Sequence, residues 1–305
     1  MVHDIQEDCS LTAIIPVTRM SGRFQNLEKW VYRQEVEGLH LIFVHDIQDN
    51  ETSKELRRIA SSLPNAEIIE DRFGAPGPAR NAGLDLVKDG WVTFWDSDDI
   101  PNVQEAMIMV EHAAKRGKLI SIGGFIVEPL DPNMKVTSHL IEESTAADLF
   151  EEIGMITCIP RWAFRRDFIG NKKFMPFRMA EDQCFLFDLK PSTKDIYIHK
   201  KSVYTYCVGD KRQLTRNRNA ITELLKSVPY LAKAMQNSDS AMSNWGALLL
   251  TRQALTAIKR GNFSTKLRMA GLIVTLLPLM LFSKRVSFSR AFKVLKTKRK
   301  PLVNS

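Results

Sequence analysis

The segment from Trp91 to Asp99 constrains the chain most, because a hydrophobic, aromatic run ends abruptly in carboxylates. The run predicts a buried strand, and Asp96, Asp98 and Asp99 follow it directly. Carboxylates this close repel one another unless a positive charge lies among them. A divalent cation takes oxygen ligands and can bridge phosphates. We therefore expect a metal–diphosphate site at the carboxyl end of a strand, where open α/β sheets bind ligands.

The alternative is a solvated acidic turn, in which Asp99 caps a helix that begins near Pro101. The preceding segment favours the ligand site. Gly and Pro break the chain at 76–78, and a helix is predicted from there to about Lys88. Arg80 lies near the start of this helix, where the helix dipole disfavours a cation. We therefore expect Arg80 to face a ligand or the carboxylates.

Alternating strand and helix patterns occupy the first part of the chain. Strands are predicted at 11–18, 41–46 and 66–70, and helical patterns at 24–37 and 51–63 separate them. This order predicts an α/β fold with a mostly parallel sheet flanked by helices. The segment 119–127 is interpreted as a further strand of that sheet, and 196–206 as a final strand.

In this order the motifs resemble those of glycosyltransferase family 2, whose members have the GT-A fold. The resemblance covers roughly residues 10–215, and each motif alone is weak. The matching pieces are Ile14-Ile-Pro-Val-Thr18, Asp46 at the end of the second strand, Ala79-Arg-Asn-Ala-Gly83, Asp96-Ser-Asp-Asp99 and Ala180-Glu-Asp-Gln183. The resemblance implies a catalytic domain at 1–215 and leaves 216–305 as a basic, apolar helical C-terminal region.

The resemblance also implies which residues bind the nucleotide-sugar donor. Pro16 and Thr18 follow the first strand, and Asp46 takes the position that contacts the donor base. Arg80 lies in the nucleotide-contacting segment, and Arg212 lies in a basic segment that closes over the diphosphate in relatives. The family often has Tyr-Asn after the first strand and Asp-Gly-Ser after the second. This chain has neither, so the base of the donor stays open, with a UDP-sugar favoured by family habit.

The remaining implied roles concern metal and proton transfer. Asp96 and Asp98 match the DxD pair that binds a divalent metal, Mn²⁺ or Mg²⁺, and Asp96 also contacts the donor. Asp182 matches the carboxylate that acts as base. Asp49 and Asp99 are interpreted as turn or capping residues. The motif of polymerising members, Gln-x-x-Arg-Trp, does not occur, which predicts transfer of one sugar per event.

These residues suit an inverting transfer. The leaving diphosphate gains negative charge, which a metal and Arg80 would stabilise, and a carboxylate takes the proton of the attacking hydroxyl. The expected function is therefore an inverting, metal-dependent glycosyltransferase acting on a saccharide or lipid-linked acceptor, in cell-surface polysaccharide or glycolipid synthesis. The alternative is a non-catalytic nucleotide-sugar-binding or scaffold protein on the same fold.

Charge is distributed unevenly along the chain. Residues 240–305 contain 13 Lys and Arg and no Asp or Glu, and the segment 269–282 is an apolar run. The run is shorter than the roughly 20 residues that span a bilayer. We interpret the region as an anchor on an anionic membrane surface, with a helical pair that packs on the core or on a second subunit as the alternative.

The expected location is cytoplasmic, peripheral on the inner face of the membrane. The N-terminal residues are polar and acidic, unlike a signal peptide. The four cysteines are widely spaced, which indicates neither a zinc site nor a disulfide framework. Nucleic acid is not an expected partner, because the apolar run needs burial and stacking aromatic residues are sparse.

Overall fold

The computed structural model describes residues 9–20, 24–32, 37–129, 133, 135–140, 158–209, 221–236 and 240–282. The chain divides into two compact units. The first unit comprises Met1–Glu143, Cys158–Lys173 and Pro191–Gly209, and the second comprises Ser144–Thr157, Phe174–Lys190 and Asp210–Ser305. The predicted catalytic boundary at residue 215 stays a prediction, and the segment around Asp182 groups with the C-terminal helices.

One mixed sheet runs through the first unit. The described strands are β1 (Leu11–Val17), β2 (Leu39–Asp46), β3 (Ala66–Asp71), β4 (Trp91–Phe94), β5 (Ile100–Pro101), β6 (Ile120–Pro129), β7 (Thr137–His139), β8 (Trp162–Arg165) and β9 (Ile196–Val208). Their order in the sheet is β3-β2-β1-β4-β8-β6-β9-β5, and β7 pairs with β6 outside this path. The α/β prediction is confirmed, and the predicted strands at 11–18, 41–46, 66–70 and 119–127 are present.

The first four strands of the path are parallel, as the alternating pattern predicted. In this part of the sheet Ile14 lies between Ile42 of β2 and Phe94 of β4. All three side chains are almost completely buried. Near-continuous apolar strands such as these are typical of parallel sheets that are covered on both faces.

Helices of the first unit connect and cover these strands. They are α1 (Phe24–Val31), α2 (Asn50–Ser61), α3 (Pro76–Leu86), α4 (Val103–Ala114) and α5 (Arg166–Ile169). Asp49 caps α2 by accepting the Thr52 N–H at 2.7 Å, so the capping prediction is confirmed there. Helix α3 packs on β1 and β2 where Gly83 has no side chain, and a Cβ there would lie 2.6 Å from Ile14 Cγ2.

The antiparallel part of the sheet contains the largest departure from the predicted strands. Strand β8 was not predicted, and it pairs antiparallel with both β4 and β6. Strand β9 is one continuous element parallel to β6. Its register shifts next to Gly123, where a Cβ would lie 2.6 Å from Val203 Cγ1, so the close approach of these strands requires glycine.

The second unit is helical in its described residues. It contains α6 (Glu181–Leu189), α7 (Leu224–Gln236), α8 (Ser240–Arg260) and α9 (Phe263–Phe282). Helix α7 packs on α6, α8 and α9. The core around these helices includes Ala180, Val228, Leu250 and Met269. None of the described helices combines the length and apolar character needed to cross a bilayer.

Candidate active site

Most predicted donor-site residues of the first unit lie where parallel strands end. Strands β1, β2 and β4 are parallel neighbours, so their carboxyl ends share one edge of the sheet. Pro16 is half-buried near the end of β1, and Thr18 is exposed just after it. Asp46 ends β2, and Asp96 follows β4. The structure therefore brings these four predicted residues to the same edge.

Arg80 is paired with the acidic segment, as predicted. Its Nη2 donates to Asp96 Oδ1 at 2.8 Å. The Arg80 side chain is only 5% exposed, whereas that of Asp96 is 33% exposed. Burial of a guanidinium near the positive end of α3 is unfavourable without a charge partner. The pair therefore offsets this cost and leaves part of the Asp96 carboxylate facing solvent.

Asp98 is half-buried and lies between Asp96 and the buried Asp99 in residues 95–99, the acidic loop. The Asp98 carbonyl accepts a hydrogen bond from Asn26 Nδ2 of α1 at 2.8 Å. Helix α1 therefore helps to fix the backbone of the acidic loop. Asp98 is close enough for its charge to raise the pKa of Asp99.

Asp99 closes a turn, since its N–H donates to the Asp96 carbonyl at 3.3 Å. It does not cap the following helix, so the capping half of its interpretation is wrong. The cap of α4 is Asn102, whose Oδ1 accepts the Glu105 N–H at 3.3 Å. Strand β5 lies between Asp99 and α4 and pairs with β9, which moves the helix start beyond the reach of Asp99. Asp99 is instead completely buried. Burial, and then the charges of Asp98 and Asp96, raise its pKa well above the ordinary value.

Asp46 is used to hold the loop that precedes α3. Its two carboxylate oxygens accept the N–H groups of Phe73 and Gly74 at 2.9 and 3.2 Å. Asp46 is 5% exposed, and Gly74 has a φ of 71°, a conformation that favours glycine. The geometry gives Asp46 a structural role that sequence reasoning missed, and its contact with a donor base stays a prediction.

Asp182 lies in the second unit, in the first turn of α6. Its Oδ1 accepts the Gln183 N–H at 2.8 Å, and the residue is half-buried. The preceding Ala180 has a φ of 65°, a left-handed conformation that is strained for alanine. The charge of Asp182 favours protonated Arg252, but burial dominates and lowers the pKa of Arg252.

A buried polar chain ties α6 to α7 and α8 within this unit. Gln253 Nε2 donates to Gln183 Oε1 at 2.7 Å, and Ser227 Oγ donates to Gln253 Oε1 at 2.7 Å. Ser227 is fully buried and Gln253 nearly so. Buried polar groups that satisfy one another in this way fix a single arrangement of the helices. The orientation of the turn that carries Asp182 therefore depends on the C-terminal helices.

The oxygen ligands that the acidic loop offers suit a hard divalent cation. Asp96 and Asp98 offer carboxylate oxygens, which Mg²⁺ and Mn²⁺ prefer, and sites of this kind complete their coordination with substrate phosphates and water. In the part of the chain that the structure describes, no group of three or more His, Cys, Asp or Glu residues could hold a metal. The predicted Arg212 lies outside the described residues.

The fold is similar to that of known GT-A glycosyltransferases. The crystal structure of S. aureus TarS 1-349 has a TM-score of 0.67 and 14% sequence identity, covering 93% of this chain and 83% of that one. The same protein in complex with UDP-GlcNAc has a TM-score of 0.64 and 15% identity, covering 88% of this chain and 81% of that one.

A further similar structure is the mannosyltransferase PcManGT from Pyrobaculum calidifontis in complex with GDP-Man and Mn²⁺. Its TM-score is 0.56 with 13% identity, covering 94% of this chain and 86% of that one. No curated protein matches the chain at a significant level. At such low sequence identity, the structural similarity shows that the chain has the GT-A fold.

The sequence itself shows the family. The Glycosyl transferase family 2 pattern matches residues 12–172, which is more than half of the chain. The matched range includes the ends of β1, β2 and β4 and the Arg80–Asp96 pair. The protein therefore belongs to glycosyl transferase family 2 and is a glycosyltransferase.

Proposed function

We propose that the protein is an inverting, metal-dependent transferase that moves one sugar from a nucleotide-diphosphate sugar to a hydroxyl acceptor. The observation that carries this proposal is the buried Arg80 paired with the partly exposed Asp96 at the carboxyl end of β4, beside Asp98. This arrangement places a positively charged hydrogen-bond donor, the Arg80 guanidinium, beside two carboxylates that can act as metal ligands. Such a combination suits a diphosphate and the cation that accompanies it.

The leaving group is the part of the reaction that this loop would stabilise. Departure of the nucleoside diphosphate builds negative charge on its oxygens. Arg80 is held rigidly by its burial and by Asp96, so it can donate to these oxygens without reorganising. Asp96 and Asp98 would hold the divalent metal, which supplies Lewis-acid stabilisation of the same charge when it is bound.

Asp182 is the proposed base. A carboxylate that takes the acceptor proton permits one direct displacement, and one displacement inverts the anomeric configuration. The support for this role is the match to the family motif, the half-buried position of Asp182 at the start of α6, and the strained Ala180 before it. Strained backbone is concentrated at functional sites because the surrounding structure must maintain it.

The donor is proposed to be a UDP-sugar. TarS is known in complex with UDP and with UDP-GlcNAc, and PcManGT with GDP-Man. The fold thus accommodates both uracil and guanine nucleotides in other proteins. The family habit favours uracil here, and the departures after Thr18 and Asp46 make the donor base the first property to measure.

The test is donor hydrolysis across a panel of UDP-, GDP- and dTDP-sugars with Mn²⁺ or Mg²⁺, and again with chelator. We expect slow, metal-dependent release of one nucleoside diphosphate, lost in Asp98→Ala. The Asp182→Asn variant should bind this donor normally and lose transfer. Asp167→Asn is the matched control, because Asp167 is 62% exposed and pairs only with Arg165 among the contacts described. Release that persists with chelator and in Asp98→Ala would contradict metal dependence.

A non-catalytic donor-binding protein is the alternative. Calorimetry separates the two functions when the panel shows no release. A donor that binds with metal but is not transferred to any saccharide or lipid-linked acceptor would favour the binding protein. Binding followed by transfer to one acceptor would establish the enzyme and name its substrate pair.

The proposed location is the inner face of the cytoplasmic membrane, with a lipid-linked or growing surface saccharide as acceptor. Support comes from helix α9, whose two faces differ. Thr265 and Met269 are buried within the second unit, whereas Phe263, Leu267 and Val274 are 81%, 65% and 68% exposed. Residues spaced by three, four or seven positions share one side of a helix. The exposed residues therefore form an apolar stripe opposite the packed face.

Basic side chains surround this stripe. Lys259 and Arg260 end α8, and Lys266 and Arg268 flank Leu267, all of them exposed. No described residue of 240–282 is acidic. Apolar residues that enter the headgroup boundary and lysines that attract anionic lipid are the two contributions that hold interfacial helices. The proposed membrane surface and the packing on the protein, which was the alternative interpretation, therefore use opposite faces of the helix.

Sedimentation with vesicles tests this surface. The full chain should pellet with vesicles containing anionic lipid and remain in solution with neutral ones. Serine at Phe263, Leu267 and Val274 should abolish pelleting, because the apolar contact is lost while the charges remain. The control is serine at Val136 and Leu140, which are also exposed but belong to the first unit. Equal pelleting of both variants would contradict the role of α9.

A further inference from the structure

A tyrosine of β9 is joined to the backbone of the acidic loop. Tyr204 is completely buried, and its hydroxyl oxygen accepts the Asp96 N–H at 3.1 Å. The same hydroxyl donates to Asp99 Oδ2 at 2.8 Å. The phenolic oxygen accepts the Asp96 N–H through a lone pair, while its single proton is donated to Asp99. The hydrogen bonds therefore run from the Asp96 backbone through Tyr204 to Asp99.

Asp99 accepts a second hydrogen bond from the same strand. Its Oδ1 accepts the Cys207 N–H at 2.7 Å. Asp99 thus accepts two hydrogen bonds, one at each carboxylate oxygen, and it is the last acceptor in this series of hydrogen bonds. An asparagine would present one acceptor and one amide donor, so it could satisfy only one of these partners. The geometry therefore specifies a carboxyl side chain, and not merely a small polar one.

Burial of this side chain is costly for folding. A fully buried carboxyl group beside two other carboxyls is strongly disfavoured unless its hydrogen bonds are complete. The backbone pairing of β5 with β9 already joins these segments, through Ile100 with Thr205 and Pro101 with Tyr204. The fold therefore does not need the chain of hydrogen bonds to bring β9 to the acidic loop. What the chain adds is a fixed position for the Asp96 peptide group.

We infer that Tyr204 and Asp99 are positioning residues, which hold the backbone of Asp96 so that its carboxylate faces Arg80 and the donor diphosphate with its metal. This inference rests on the proposed function. Asp96 is held on both sides, by Arg80 at its side chain and by Tyr204 at its N–H. Loss of the hydroxyl leaves the Asp96 N–H buried without that acceptor, and the loop must move to satisfy it.

The experiment compares two tyrosines of the same strand. Tyr204→Phe removes only the bridging oxygen and keeps the ring in the core. Tyr197→Phe is the matched control, because the Tyr197 hydroxyl contacts His112 Nδ1 at 3.3 Å and touches no residue of the acidic loop among its described contacts. Binding of UDP and of GDP is measured by calorimetry with Mn²⁺ and with chelator, beside thermal unfolding of both variants.

We expect Tyr204→Phe to bind the nucleotide with Mn²⁺ about tenfold more weakly than wild type, the effect of one lost hydrogen bond. Binding in chelator should be unchanged, and Tyr197→Phe should behave as wild type. A second variant, Asp99→Asn, should show the same metal-dependent loss. Equal binding by Tyr204→Phe and Tyr197→Phe would overturn the inference while leaving the proposed function intact. No binding of either nucleotide to the wild type would overturn both.

Discussion

The residues of the acidic loop have two kinds of proposed role, ligand binding for Asp96 and Asp98 and structural support for Asp99. Asp96 and Asp98 reach the surface in part, whereas Asp99 is buried and bonded to β9. Residues of one type in one short motif thus differ in burial and in hydrogen-bond partners. Arg80 is the charge that makes this concentration of carboxylates tolerable.

The Arg80–Asp96 pair gives a prediction on stability and activity together. Arg80→Met should lower the free energy of unfolding by about 2–3 kcal/mol, at or below the low end of the range for a broken buried pair, because Asp96 is partly exposed. Metal-dependent donor hydrolysis should fall by roughly two orders of magnitude, the usual effect of removing one transition-state donor. Arg80→Lys keeps the charge without the planar fork and should give an intermediate rate.

Chemical denaturation and donor hydrolysis measure these two effects separately. The exposed ion pair between Arg165 and Asp167 provides the control. Arg165→Met should change stability by no more than about 0.5 kcal/mol, because exposed pairs contribute little. A wild-type rate in Arg80→Met would show that this guanidinium does not contact the diphosphate.

The cysteines give a prediction on pH. Burial raises the pKa of Cys207 to about 12 and also raises that of Cys184. The thiolate is the reactive form, and a raised pKa keeps the thiol neutral at every pH below it. Alkylation of the native protein from pH 7 to 9 should therefore spare these two and modify the half-buried Cys9 and Cys158. Peptide mass spectrometry reports the sites, and denaturant should expose all four.

At the scale of elements, the packing of α3 on the sheet determines where Arg80 lies. Gly83 is one turn beyond Arg80 and faces Ile14 of β1 and Val44 of β2. The glycine in the family-like segment therefore has a physical reason, the close approach of helix and sheet. A side chain here would displace the helix that carries the arginine.

Alanine substitution at two helical glycines tests this packing. Gly83→Ala should destabilise the fold by about 1–3 kcal/mol, as overpacking does, and should also lower donor hydrolysis because Arg80 shifts with α3. Gly271→Ala in α9 is the control, since a Cβ there meets nothing within 4 Å. It should stabilise the helix by about 0.5–1 kcal/mol. Similar thermal shifts of the same sign in both variants would contradict the argument.

The confirmed elements are determined by local sequence, whereas those that were missed depend on contacts with residues distant in the chain. The parallel strands β1 and β2 are apolar runs, and β3 is a short strand whose two isoleucines lie between acidic residues. Amphipathic helices separate the three strands, so local sequence suffices to predict them. Strand β8 has four residues, Trp162–Arg165, within a mixed aromatic and basic stretch, and its pairing with β4 and β6 creates it. The role of Asp99 was mistaken for a similar reason, since its partners Tyr204 and Cys207 lie more than 100 residues away in sequence.

At the scale of the whole molecule, the same division holds for the site. The predicted parallel sheet placed the ligand site at the carboxyl end of a strand, and Asp46 at the end of β2 and Asp96 after β4 do lie at such an edge. The support of Asp182 was not predictable, because Gln183 bonds to Gln253 and nothing in the local sequence of α6 indicates that partner. The C-terminal helices therefore hold the turn that carries the proposed base, and the same helices carry the proposed membrane surface.

Truncation tests whether the C-terminal helices are separable from the proposed base. Phe187 of α6 is buried and contacts Trp245 of α8, with 5.8 Å between ring centroids. A chain of residues 1–215 lacks this partner and should expose the apolar face of α6. We expect it to bind a hydrophobic dye, to lose helical signal beyond the deleted residues, and to unfold at a lower temperature. Circular dichroism and dye fluorescence measure these changes.

A substitution in the full chain tests the loss of this packing contact without removing the C-terminal helices. Trp245→Ala should lower the free energy of unfolding by about 3–5 kcal/mol, as removal of a buried aromatic ring does. It should also lower transfer more than it weakens nucleotide binding, because the donor loop lies in the first unit and Asp182 lies in the second. If residues 1–215 unfold as cooperatively as the full chain and transfer sugar at its rate, the helices are a true appendage and the base does not depend on them.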